Sequence, residues 1–136
     1  MTDYKLDNQI GFVLRRVNQR HLAIFSQLLP ELTPTQFAAL AKLIEVVEVS
    51  QNELGRLIAM DAATIKGVVD RLARRGLLEA RRNPNDSRRK LLRASSDGKV
   101  LYENVVATAL RISDKTLDPL STEEKVQFLG LLKRLG

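Results

Sequence analysis

Ten lysines and arginines fall within one stretch of the chain, at positions 66, 71, 74, 75, 81, 82, 88, 89, 90 and 93. Only Asp70, Glu79 and Asp86 stand against them, so Lys66–Arg93 carries +7 while the whole 136-residue chain carries +6, which leaves −1 for the remainder. Cationic side chains hold phosphates through charge-assisted hydrogen bonds, and gathered on one surface they suit a polyanion. The backbone of nucleic acid is the usual one. Groups for bond-making chemistry are scarce by comparison. The chain has no cysteine and one histidine. That removes thiol nucleophiles, disulfides and most structural zinc sites, and it removes any multi-histidine metal site unless chains share ligands. No glycine-rich phosphate cradle is present. The expectation is a binding protein rather than an enzyme, with no metal or organic cofactor.

The length suits one domain with helical extensions. No run approaches the ~18 consecutive apolar residues of a membrane span. The first residues, MTDYKLDNQ, are polar and mixed in charge, unlike a signal peptide. A cytoplasmic location with no membrane partner is expected.

Capping signals divide the chain into the elements that must carry the cations. Thr33-Pro34-Thr35-Gln36, Ser50-Gln51-Asn52-Glu53 and Ser121-Thr122-Glu123-Glu124 read as capping boxes, the first with proline at the first helical position. Asp61 can cap a helix opening at Ala62. Gly76 follows Arg74-Arg75 as a helix stop. The predicted order is a long helix over about 6–29, helices near 34–47, 51–58 and 62–75, a β-hairpin at about 77–82 and 90–94, and helices near 97–117 and 122–135. The fold class is mainly α with a small β-hairpin. The 51–58 and 62–75 helices form a helix-turn-helix, and the hairpin is its wing. Ile65, Val68, Val69 and Leu72 are spaced to pack inward, with Leu54, Leu57 and Ile58 as the matching face of the first helix. Thr64, Lys66, Gly67, Asp70, Arg71 and Arg74 lie on the opposite side.

A helix fits the major groove, with its N-terminal residues toward the base edges. Thr64 and Lys66 can bond bases or phosphates, while Arg71 and Arg74 are placed for phosphates, which position a protein without reading sequence. Gly67 costs about 1 kcal/mol relative to alanine in a helix interior. It implies a close approach, either by DNA or by another part of the protein. The wing tip is read as Asn83–Lys90, carrying Arg88, Arg89 and Lys90 in succession. Arginine at such a tip can enter a narrow minor groove, and Asp86 is near enough to brace Arg88. In isolation the same residues would make an ordinary solvated turn.

At these residues the chain resembles the multiple antibiotic resistance regulator (MarR) family. The matching positions are Leu72-(x)3-Gly76-Leu77-Leu78, Arg81-Arg82, Asp86-Ser87-Arg88-Arg89-Lys90 and Ala94-Ser95-(x)2-Gly98. Ala94-Ser95 stands where the family usually has Leu-Thr, and the serine keeps the capping hydroxyl. Gly67 stands where many members carry a polar or basic side chain. The resemblance implies a single MarR-like domain over 1–136, with a winged helix-turn-helix lobe at 33–95 and dimerisation helices at 6–29 and 97–136. It implies a homodimer on double-stranded DNA with a pseudo-palindromic operator, Arg88 in the minor groove supported by Asp86, and the 62–75 helix in the major groove. It also implies a transcriptional repressor released by a small aromatic or anionic ligand. The alternative is a winged-helix protein-interaction module with no DNA target.

The residues point to a dimer independently. Ile10, Leu14, Val17, Ile24 and Leu28 form one apolar stripe, and Val126, Phe128, Leu129, Leu131, Leu132 and Leu135 cover more than one side of the last helix. A second copy is the natural cover, and a two-fold axis would set the recognition helices about 34 Å apart, one turn of duplex. On the first helix Arg15, Asn18, His21 and Phe25 make a candidate effector site. Arginine would bind a carboxylate in a bidentate fork, with the aromatic ring of the ligand against leucine and phenylalanine. The alternatives are a hydrogen-bonded interface or core histidine and arginines in surface or intersubunit ion pairs, a role also expected for Arg16 and Arg20. Tyr4 and Tyr102 are further available hydroxyls.

Overall fold

The structure, a computed structural model, describes residues 2–136. The helices are α1 (Ile10–Leu28), α2 (Pro34–Val46), α3 (Gln51–Leu57), α4 (Ala62–Arg74), α5 (Ser96–Thr116) and α6 (Thr122–Lys133). The strands are β1 (Val49–Ser50), β2 (Leu78–Asn83) and β3 (Asp86–Ala94), forming one antiparallel sheet in the order β1-β3-β2. The fold is mainly helical with a β wing. The chain divides into two compact units. One is Leu29–Ala107; the other joins Thr108–Gly136 to the residues before Leu29.

In the Leu29–Ala107 unit the caps account for the helix limits. Thr33 accepts from Gln36 N at 3.1 Å while Gln36 Oε1 accepts from Thr33 N at 3.2 Å, closing a reciprocal box. Asp61 Oδ1 accepts from Thr64 N at 2.7 Å and starts α4. Gly76 ends that helix with φ +72, a left-handed conformation that glycine adopts without Cβ strain. Between α3 and α4 the chain turns at Ala59, which takes φ +56. The core is apolar and continuous: Leu40 and Leu43 of α2, Leu54 of α3, Ile65 and Leu72 of α4 are all essentially inaccessible to solvent. Val68 and Val69 complete the buried face of α4, and Leu78 and Leu92 anchor the sheet beneath it.

Several details differ from the sequence reading. The unit is wider than 33–95 because the first turns of α5 belong to it: Val105 is buried and Tyr102 stacks on Phe37 with centroids 6.0 Å apart. A third strand, Val49–Ser50, pairs with Leu92 and Leu91. Two residues leave no periodicity to read, so the pairing is purely a product of packing. Ser50 caps α3, accepting from Glu53 N at 3.3 Å, but the box is not reciprocal, because the Glu53 carboxylate pairs with Arg56 instead. Leu57 is 43% exposed, so α3 buries Leu54 and Gly55 rather than a Leu54/Leu57 stripe. The wing turn is tighter than Asn83–Lys90. Pro84 and Asn85 alone form it, and β3 begins at Asp86. Asn83 Oδ1 accepts from Asn85 N at 3.0 Å, an Asx-type bond that lets two residues reverse the chain.

The other unit holds α1, α6 and the second half of α5. A 3-10 turn at Leu6–Asn8 precedes α1, where one uninterrupted helix from residue 6 was expected. Gln9, in extended conformation, separates the two. Ser121 and Glu124 close a second reciprocal box at the start of α6. Burial is sparse here. Ile24 and Phe25 are the buried residues of α1, and α6 buries none.

Candidate nucleic-acid interface

With Ile65, Val68, Val69 and Leu72 turned into the core, α4 presents Thr64, Lys66, Arg71 and Arg74 to solvent, with Gly67 and Asp70 half-buried among them. Gly67 has no close protein neighbour to explain it: a Cβ there would meet only the Arg71 guanidinium, at 3.5 Å. Its bare backbone therefore lies on an open helix face beside two cations. Lys66 donates to Asp70 Oδ2 at 2.9 Å. The Lys66 ammonium, with Arg74 adding a weaker attraction, holds the Asp70 carboxyl below the usual aspartate value against a partial loss of solvent.

The wing carries its cations on strands. Arg88 is almost wholly in solvent, with 95% of its side chain exposed. Asp86 braces it through the backbone, since Oδ1 accepts from Arg88 N at 3.1 Å while the guanidinium stays at 3.9 Å. The Arg89 guanidinium is 3.6 Å from the same carboxylate. Between α4 and the sheet lies a polar hollow of about 420 Å³ that brings Asp70 and Glu79 together with Arg88, Arg89 and Lys90. Of the helix and wing residues singled out from the sequence, this hollow brings together Asp70, Arg88, Arg89 and Lys90; Thr64, Lys66, Gly67, Arg71 and Arg74 do not line it.

Not every cation of the stretch is available to a ligand. Arg81 makes a bidentate pair with Glu48, 2.6 Å on both arms. That hydrogen bond lowers the Glu48 carboxyl and raises the Arg81 guanidinium from their ordinary values. Arg93 Nε donates to Glu79 at 2.8 Å, across a directly paired position of β2 and β3. Arg75 donates to Gln36 at 3.3 Å. Arg71, Arg74, Arg82 and Lys90 have no carboxylate at ion-pair distance among the described residues, although Arg74 feels Asp70 more weakly from farther off. Sequence reasoning missed Glu48 altogether. Its reach to Arg81 runs from the residue before β1 past β3 to β2, and β1 itself was invisible.

The other unit holds an apolar trough of about 790 Å³ between α1, the end of α5, and α6. Leu14, Val17, Leu117, Phe128 and Leu132 are among its walls, and its polar lining is Asn18, His21, Ser113, Thr116 and Arg134. Of the effector residues proposed from sequence, Asn18 and His21 line it. Arg15 and Phe25 do not: Arg15 is exposed elsewhere on α1, and Phe25 is buried with its ring edge-on to His21, centroids 6.4 Å apart. Among the described residues Arg16 and Arg20 form no ion pair within the chain. Arg16 sits over the Phe12 ring at 5.9 Å. Arg20 donates to Thr116 O at 2.6 Å and to Lys115 O at 2.9 Å, satisfying the last carbonyls of α5. Among the described residues no cluster has the makings of a metal site, and no helix is long and apolar enough to cross a membrane.

Known proteins share this fold. The model of the MarR family matches residues 32–90. The chain is 36% identical to the HTH-type transcriptional repressor NicR of Pseudomonas putida, an alignment that covers 98% of this chain and 86% of that protein. The crystal structure of a probable transcriptional regulator from Pseudomonas aeruginosa superposes with a TM-score of 0.93 at 49% identity, covering 97% of this chain and 100% of the other. BpsR of Bordetella bronchiseptica, whose DNA binding is regulated by 6-hydroxynicotinic acid, superposes with a TM-score of 0.95 at 36% identity, covering 98% and 97%. Likeness of this extent, in sequence and in fold, means that the chain belongs to the MarR family of DNA-binding transcriptional regulators.

Proposed function

We propose that the protein is a cytoplasmic homodimeric repressor that binds a pseudo-palindromic operator through α4 and the wing and is released by a small aromatic carboxylate. The observation that carries the DNA-binding surface is the set of cations without carboxylate partners on α4 and the adjoining strands, beside the bare face of Gly67. Thr64, Lys66 and Gly67 meet the major groove; Arg71 and Arg74 meet phosphates; Arg88, held by Asp86, enters the minor groove with Arg89 and Lys90 at its edges. Selection of bound fragments from random duplex DNA tests this. Recovery of two inverted half-sites about one helical turn apart is expected; single or unordered sites would refute the two-fold reading.

Dimerisation is supported by the α1 and α6 surfaces, where Ile10 is 63% exposed and Val126 and Leu135 each 73%. The effector reading is supported by the trough, with apolar walls for a ring and a guanidinium, an imidazole and an amide for its acid group. The ligand of BpsR, a pyridine carboxylate, has that chemistry. Asn18 and His21 contribute from α1, with Phe25 behind the imidazole, and the lining favours Arg134 over Arg15 as the carboxylate's cation. Calorimetric titration of 6-hydroxynicotinic acid into wild type, Arg134→Ala and Arg15→Ala separates the two arginines. Equal affinity in all three would remove both from the site.

A further inference from the structure

We infer that Thr116 is a positioning residue for the effector site: its hydroxyl donates to His21 Nδ1 and so holds the ring proton on Nε2, the nitrogen left to meet a carboxylate. The inference rests on the effector reading proposed above. His21 Nδ1 and Thr116 Oγ1 are 2.8 Å apart, and both residues line the trough. A neutral imidazole has one donor nitrogen and one acceptor nitrogen, and the bond made by one decides the role of the other. The imidazole lone pair is the better acceptor of the two atoms in this contact, and the Thr116 hydroxyl meets His21 at 2.8 Å. With Nδ1 accepting, Nε2 carries the hydrogen. A carboxylate has only acceptors to offer, so an Nε2–H ring binds it and an Nε2 lone pair repels it. Val17, Leu117 and Leu132 line the same trough, and against such apolar walls a wrongly placed lone pair is costly.

The geometry is held from both sides. Arg20, the residue before His21, fixes the Thr116 main chain through its carbonyl at 2.6 Å and through that of Lys115 at 2.9 Å. Two consecutive residues of α1 therefore grip the backbone and the side chain of the same threonine. Phe25, one turn along α1, stands edge-on to the imidazole with the planes at 64° and limits its rotation. Arg20 on α1 bonds the Thr116 carbonyl and Arg134 from the end of α6 lines the trough, and both cations favour an anion there.

The chain has a single histidine, so a sample labelled with ¹⁵N-histidine gives one imidazole spin system. Long-range ¹H–¹⁵N correlation at about pH 8.5, where imidazole side chains are ordinarily neutral, reads the tautomer without any ligand. The expected wild-type spectrum has a protonated Nε2 and a hydrogen-bonded, unprotonated Nδ1. Thr116→Val should lose the hydrogen-bonded Nδ1 signature and bind 6-hydroxynicotinic acid roughly two- to tenfold more weakly, the loss expected for one hydrogen bond. Thr116→Ser should restore both. A wild-type ring protonated on Nδ1 overturns the inference, and that spectrum can do so even if Thr116→Val does not fold. Undiminished affinity in a folded Thr116→Val overturns the positioning role. An Nε2–H ring in a wild-type protein that does not bind the acid refutes the effector reading itself, and this role with it.

Discussion

Asp70→Asn should make the protein bind DNA more tightly at low salt and more steeply with salt. Asp70 lies on the same helix face as Thr64, Arg71 and Arg74, and its carboxylate holds the Lys66 ammonium at 2.9 Å. Asparagine keeps the shape, removes the charge and frees the lysine for a phosphate. Each phosphate newly neutralised steepens the slope of log affinity against log salt by about 0.9, so one per protomer adds about 1.8 for a dimer. Between 50 and 200 mM salt, the advantage of the variant over wild type should therefore shrink roughly twelvefold. The fold should survive, since the side chains of Lys66 and Asp70 are 67% and 44% exposed. Fluorescence anisotropy on a duplex lacking operator sequence, over a salt series, measures the slope directly. Lys66→Gln combined with Asp70→Asn should return the slope to near the wild-type value. Parallel slopes for Asp70→Asn and wild type would show that Lys66 does not reach phosphate, and would sink the assignment of this helix face to DNA.

Gly67→Ala should stabilise α4 by up to about 1 kcal/mol from helix propensity, because the new methyl meets only the Arg71 guanidinium. The same change should weaken operator binding, and unchanged affinity in a gel-shift titration would contradict close approach of DNA at that point. Glu48→Gln should lower stability to urea at neutral pH. The Arg81 hydrogen bond holds the folded carboxyl below its ordinary 4.5, so the wild-type advantage is full above that value and fades as pH falls through the lowered folded value; a gap that persists unchanged into acid would refute the pairing. Gly98→Ala should cost about 3 kcal/mol or more in chemical denaturation. An added Cβ would collide with the Leu77 carbonyl, which accepts from Ser95 N at 3.1 Å, and would disturb the Ser95 hydroxyl that caps Gly98 N at 3.0 Å and donates to Gly76 O at 2.6 Å. A loss below 1 kcal/mol would mean that α5 shifts without strain.

The local physics of the chain was legible in one dimension. Caps at Thr33, Asp61 and Ser121 are short-range hydrogen bonds, and a left-handed stop at Gly76 is a property of one residue. The inward face of α4 follows from helical periodicity, and the family resemblance from the Asp86–Lys90 wing, Ala94-Ser95 and Gly98. Charge clustering between Lys66 and Arg93 needed only counting. What those cations are free to do needed the tertiary structure. Arg81 and Arg82 are adjacent and chemically identical, yet Glu48, 33 positions away from Arg81, engages Arg81 and leaves Arg82 without a carboxylate. The trough shows the same limit. Helical spacing placed Arg15 near His21, but Thr116, 95 positions away, is what the fold bonds to the imidazole, and Arg134, not Arg15, lines the same trough. Periodicity along a helix tells which residues share a face; it carries no information about which distant segment that face will meet, because that choice is made by the packing of whole elements.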